Sequence, residues 1–143
     1  MIELERTIRV NRPAAAVAEY LADFSNAQEW DAGTKSCTRI DGGPLRVGSR
    51  WRYVSEFGGL ETELRYSLIR RDPLRLTFRG ENETFTATDD IIIEDEGDRT
   101  RIHYRVSFRI KGFAALVTPL VRGSLDKLAD EAMAQMKSVL DRH

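Results

Sequence analysis

PLVRGSLDKLADEAMAQMKSVLDR, residues 119–142, has its only proline at the first position and a single glycine. Uninterrupted, it makes a helix of roughly 36 Å at about 1.5 Å per residue, the width of a small domain. Thr118 before Pro119 is a good entrance, a capping hydroxyl followed by a residue suited to the first helical turn. Steps of three and four place Val121, Leu125, Leu128, Ala132, Met136 and Val139 on one face. Asp126, Lys127, Asp130, Lys137 and Asp141 fall on the other. A helix this long and one-sided requires a broad apolar partner, and the preceding sequence supplies strands.

Working back from the helix, residues 35–111 carry regular punctuation. Turn signals stand at Gly42-Gly43-Pro44, Gly58-Gly59, Arg71-Asp72-Pro73, Gly80-Glu81-Asn82 and Glu96-Gly97-Asp98. Six strand-like segments lie between them, and connections this short join antiparallel neighbours. Gly58-Gly59 is a two-residue hairpin signal. A seventh strand comes first: Ile2, Leu4, Ile8 and Val10 alternate with Glu3, Glu5, Thr7 and Arg9, and Arg6 is the exception on the apolar side. Asn11 is placed to cap a helix with Pro13 in its first turn, and Ser25 followed by Gln28 has capping-box spacing for a second helix ending near Trp30.

Alternation sorts the strands into a dry face and a wet one. The dry face collects Trp51, Tyr53, Phe57, Leu60, Leu64, Tyr66, Leu68, Leu76, Phe78, Phe85, Ala87, Ile91, Ile93, Ile102, Tyr104, Val106, Phe108 and Ile110. Arginines dominate the wet face, interleaved with glutamates and threonines, and His103 falls there too. The long helix must cover the dry face.

The order strand, two short helices, six strands, long helix resembles the helix-grip fold of the START-like, Bet v 1-like (SRPBCC) superfamily. The resemblance spans nearly the whole chain. It rests on Arg12-Pro13-Ala14 with Val17, NAQEWD at residues 26–31, Val47-Gly48-Ser49, the last hairpin at residues 97–102, and Gly112-Phe113 before the helix. Together these look like the polyketide cyclase/dehydrase-like branch, with Arg99 where that branch usually has a second hairpin glycine. The resemblance implies an α+β domain over residues 1–143, in which a curved seven-stranded antiparallel sheet grips the helix around an apolar cavity. It does not select among binding, transfer and catalysis, which this fold hosts alike.

Composition bounds the rest. A chain of 143 residues with 41% apolar and 31% charged residues has the size and balance of one soluble domain. Net charge is −1, so no global field draws it to nucleic acid. The basic face carries acidic neighbours and lacks the aromatic interleaving that stacks bases. No apolar run reaches the ~20 residues of a membrane span, and the amino terminus does not read as a signal peptide. Cys37 is the only cysteine, so no intrachain disulfide forms, and a cytoplasmic location is expected. No zinc spacing, nucleophile elbow, phosphate loop or dinucleotide fingerprint is present, and no cofactor or metal is expected.

The dry face holds more polarity than a core requires: Tyr53, Thr62, Tyr66, Asp89, Tyr104 and Arg6. Each tyrosine either buries its ring and sends its hydroxyl to backbone or water, or converges with the others on a ligand. Asp89 is either a group with a raised pKa, suited to acid–base work, or half of an ion pair with Arg6, or a carboxylate at a strand end where the cavity is wet. Ala129 and Ala132 either leave space beneath the helix or allow close contact with the sheet. Gly123 costs ~1 kcal/mol relative to alanine and calls for a local reason. The segment Gly112–Val117 is either a gate or membrane-touching lip at one end of the cavity, or ordinary packing.

The leading expectation is a carrier for a small, largely apolar molecule such as a lipid, polyketide or polycyclic metabolite. The proposed lining is Trp51, Tyr53, Leu64, Tyr66, Phe78, Phe85, Tyr104, Phe108, Leu125, Leu128 and Ala132. The alternative is a cyclase/aromatase or dehydratase-like enzyme using Asp89, Tyr66 and Tyr104, with Arg6 holding the acid. A third is an interaction module using the outer face at Arg101 and Arg105. No stable membrane association and no nucleic-acid partner are expected.

Overall fold

The computed structural model describes residues 1–57, 59–112 and 118–142, with the backbone alone at Phe57, Leu60 and residues 118–121. Expectations for Gly58, for segment 113–117 and for the side chains of Phe57, Leu60, Thr118, Pro119 and Val121 lie outside that description. The elements are β1 (Ile2–Val10), α1 (Ala14–Ala22), a 3-10 turn (Phe24–Asn26) and α2 (Ala27–Trp30), followed by β2 (Thr34–Arg39) and β3 (Arg50–Phe57). Then come β4 (Leu60–Asp72), β5 (Arg75–Glu81), β6 (Phe85–Asp95), β7 (Thr100–Ile110) and α3 (Thr118–Arg142).

The sheet is antiparallel throughout, in the order β1-β7-β6-β5-β4-β3-β2. Sequential hairpins lay down β2 to β7, and β1 closes against β7 with Ile2 opposite Phe108 and Val10 opposite Thr100. This is a helix-grip fold, with the short helices after β1 and the long helix on the concave face. The expected dry face is the buried one: Trp51, Leu68, Phe78, Ile91 and Ile102 are fully enclosed. On α3 the buried positions are Ala132, Met133, Met136, Val139 and Leu140, so the stripe is wider than the single file expected. Among the described residues no helix is long and apolar enough to cross a membrane.

Local chemistry departs from expectation at the helix entrances. Asn11 does not cap α1; its backbone N–H donates to Asp141 at 2.7 Å, and Pro13 itself is the N-cap residue, without a side-chain bond. The second helical segment is capped by Asp23, not Ser25. Asp23 accepts from the Ser25 N–H at 3.1 Å and its hydroxyl at 2.8 Å, while Gln28 reaches the Ser25 carbonyl. A carboxylate two residues ahead of a free N–H satisfies it at shorter reach than a capping box does.

Gly80 is not a turn residue. It sits inside β5 opposite Tyr66, and a Cβ there would lie 2.5–2.7 Å from three atoms of the Tyr66 ring. The missing side chain is the slot the ring occupies. At Gly123, by contrast, a Cβ would meet no described atom within 4 Å, and no packing reason accounts for that glycine.

Candidate functional site

Between the sheet and α3 lies a half-enclosed cavity of about 160 Å³. Its floor comes from β1 (Leu4 and Arg6), β3, β4, β6 and β7, its roof from Leu125, Leu128, Ala129, Ala132 and Met133, and one wall from Phe24, Trp30 and Asp31. Tyr53, Leu64, Tyr66, Phe85, Tyr104, Phe108, Leu125, Leu128 and Ala132 all line it. Trp51 and Phe78 do not. Both are completely buried one layer deeper, against the Phe24 ring at 6.1 and 4.6 Å between centroids. Alternation assigns a side chain to a face, but Phe24 from the 3-10 turn covers that part of it.

The polar centre is Asp89 on β6. Tyr66 donates to Oδ1 at 3.1 Å and Tyr104 donates to Oδ2. Tyr66 belongs to β4, two strands away, and reaches the carboxylate by laying its ring across Gly80. Neighbouring strands are about 4.8 Å apart, so a side chain at position 80 would block that reach. Burial pushes the Asp89 carboxyl up to about 6, against the lowering effect of its two phenol donors and with a further push from Asp31. Burial likewise holds both tyrosines well above their ordinary range, so they stay neutral donors.

Arg6 does not hold the acid. Its Nε donates to Asp130 at 2.7 Å and its Nη2 to Asp126 at 3.0 Å, clamping β1 to the outer side of α3. The ion pair expected with Asp89 is therefore replaced by one with the helix. Exposed carboxylates on the neighbouring helix win because pairing there leaves the guanidinium partly hydrated.

The residue that alternation missed is Asp31, just after α2. It accepts from Tyr53 at 2.9 Å, from the Thr34 hydroxyl at 2.9 Å and from the Gly33 N–H at 3.1 Å. Burial raises its pKa, and those three donors oppose the rise. The available signal was Asp-x-Gly after a buried tryptophan, a turn in which the aspartate bonds the backbone two residues on. Ser55 and Thr62, paired across β3 and β4, add hydroxyls to the cavity. Phe24 and Trp30 were also missed, because period-two reasoning does not reach into helical turns. Elsewhere, burial pushes the Cys37 thiol up to about 12, which makes it a poor nucleophile. Among the described residues no three His, Cys, Asp or Glu side chains are grouped to hold a metal.

The sequence matches the Polyketide_cyc2 family, described as polyketide cyclase / dehydrase and lipid transport, over residues 1–141. The chain belongs to that family.

Solved structures share the fold of this Polyketide_cyc2 member. A START superfamily protein from Mycobacterium smegmatis superposes with a TM-score of 0.81 at 14% identity, covering 98% of this chain and 97% of its own. TTHA0849 from Thermus thermophilus gives 0.80 at 15%, covering 96% and 95%. The Zhui aromatase/cyclase from Streptomyces sp. R1128 gives 0.76 at 14%, covering 97% and 90%. At such identities the likeness is one of fold. No curated protein matches the chain in sequence.

Proposed function

We propose that this protein binds a small, largely apolar molecule in the cavity between sheet and α3, with its polar end at Asp89. The observation that carries this reading is a walled apolar space whose lining includes the buried, hydrogen-bonded Asp89 carboxylate, with Asp31 as a second carboxylate in the wall. Few convergent polar groups in an apolar pocket are what orient a ligand. About 160 Å³ suits one ring or a short chain, since a dry cavity of about 150 Å³ accepts benzene. A fused polycycle requires Leu125, Leu128 and Met133 to move aside. We place the protein in the cytoplasm, without nucleic-acid or stable membrane partners.

Native mass spectrometry of gently purified protein, with displacement of an apolar fluorescent probe, tests this. The expected result is a mass above the bare chain that is lost on denaturation, and a probe that binds. Ala132→Phe fills the roof of the cavity. Its ring gains up to ~2–3 kcal/mol by burial there, so the variant melts at or above the wild-type temperature and loses the probe. A destabilised variant that still binds probe as wild type does, or repeated bare mass without probe binding, overturns the reading.

A second reading, a cyclase- or dehydratase-like enzyme, is favoured by the Asp89 carboxyl near 6 between two phenol donors. Such a group exchanges protons near neutrality, as a general acid or base must. Asp89 is then the proton-transfer group, and Tyr66 and Tyr104 hold it in place. An Asp89→Asn variant that folds and binds but no longer turns over an aryl ketone substrate supports that role; unchanged turnover removes it.

A further inference from the structure

We propose that the cavity's ligand carries a protonated amine on its apolar body, and that carboxylate-headed molecules are turned away. The proposal rests on the binding reading above and adds the charge of the head group. It follows from an account of donors and acceptors.

Each phenol has one O–H, and all three are committed: Tyr66 and Tyr104 to Asp89, and Tyr53 to Asp31. Thr34 also spends its hydroxyl on Asp31. What remains around the two carboxylates is acceptor capacity, because an ionised carboxyl takes about four hydrogen bonds. Ser55 and Thr62 can donate or accept, so they do not oppose a donor. Among the described residues the phenols at Asp89 offer a ligand carbonyl or carboxylate no free O–H, whereas an ammonium finds unsaturated carboxylate oxygens.

The charge balance points the same way. The charged and titratable groups around Asp89 are Tyr66 on β4, Tyr104 on β7, Tyr53 on β3 and Asp31 beyond α2. None is a cation. Arg6, the one basic residue in the described lining, is engaged by Asp126 and Asp130 on α3 and by the Glu5 carbonyl. Residues 113–121 contain no Lys, Arg or His. A buried carboxylate without a counter-ion is costly and gains most from a cation brought by the ligand. The walls suit the same guest: Phe24, Trp30, Tyr53, Tyr66 and Tyr104 are aromatic, and ammonium groups are attracted to aromatic faces. Raised carboxyl pKa values report the same unmet demand.

Calorimetric titration with phenethylamine, phenethyl alcohol and phenylacetate, three probes of nearly one shape, tests the proposal. At about pH 8 the amine is expected to bind at least ~tenfold more tightly than the alcohol, with phenylacetate weakest. At about pH 5 Asp89 is largely protonated, and the amine's advantage over the alcohol falls by about tenfold, while phenylacetate does not weaken relative to the alcohol. Asp89→Asn brings the amine-to-alcohol ratio close to one. If that variant does not fold, the pH comparison on the wild type decides alone. Equal or tighter binding of phenylacetate at about pH 8, or an amine preference that persists undiminished at about pH 5, overturns the proposal and leaves the binding reading standing. Failure of all three probes to bind overturns both.

Discussion

The two faces of one sheet treat charge in opposite ways. On the convex face charged strand residues pair in contact with solvent: Arg52 with Glu63 at 2.6 Å, Arg70 with Asp72 at 2.6 Å, Arg105 with Glu5 at 3.0 Å. On the concave face Asp89 and Asp31 are held by neutral donors. Exposed pairs contribute ~0–1 kcal/mol each and leave the sheet indifferent to their loss. The enclosed carboxylates instead carry a standing electrostatic cost, which folding offsets with aromatic packing. Charge on the outside stays hydrated; charge on the inside is met by neutral hydrogen-bond donors.

The largest effect is expected where that packing is removed. Phe24 touches the rings of Trp30, Trp51, Tyr53, Tyr66 and Phe78 at 4.5–6.2 Å. Phe24→Ala should cost ~3–5 kcal/mol in chemical denaturation. A loss below about 1 kcal/mol would show that the aromatic layer does not offset the buried charge.

Next comes the cost itself. Asp89 titrates near 6 in the fold against 3.8 for the free group. The folded state therefore holds the proton more tightly, and stability that is present below about pH 4 is lost as pH rises through about 6, by roughly 3 kcal/mol. In Asp89→Asn this fall should disappear, with the difference between the two proteins growing from acid towards about pH 8. Parallel stability curves for the two proteins would mean that Asp89 is not the group responsible.

Gly80→Ala probes the reach between the strands. The added methyl displaces the Tyr66 ring, at ~1–3 kcal/mol by overpacking, and strips Asp89 of one donor. Because that donor lowers the Asp89 pKa, the carboxyl should titrate higher still, as read from carboxyl-carbon NMR. An unshifted Asp89 would separate Gly80 from the site.

The smallest effect belongs to the convex face. Arg101→Glu with Arg105→Glu should change stability by less than ~1 kcal/mol and leave apolar-probe affinity at the wild-type value in fluorescence titration. A marked loss of probe binding would mean that the two faces are coupled.

Spacing alone put Tyr66, Asp89 and Tyr104 on one side of the sheet beneath a one-sided helix, because side chains in strands alternate with period two and in helices recur every three or four residues. The same pattern yielded the antiparallel hairpins and the cavity's small-residue roof at Ala129 and Ala132. It could not rank depth along a curved face, so Trp51 and Phe78 read the same as Tyr53 until Phe24 covered them. Nor could it name partners. Arg6 and Asp126 are 120 positions apart, and Asp31 meets Tyr53 only because β2, which follows it, pairs with β3. Periodicity is a local property of the backbone, whereas the choice between ion pair, phenol donor and open acceptor depends on which distant side chains arrive and how much water they keep.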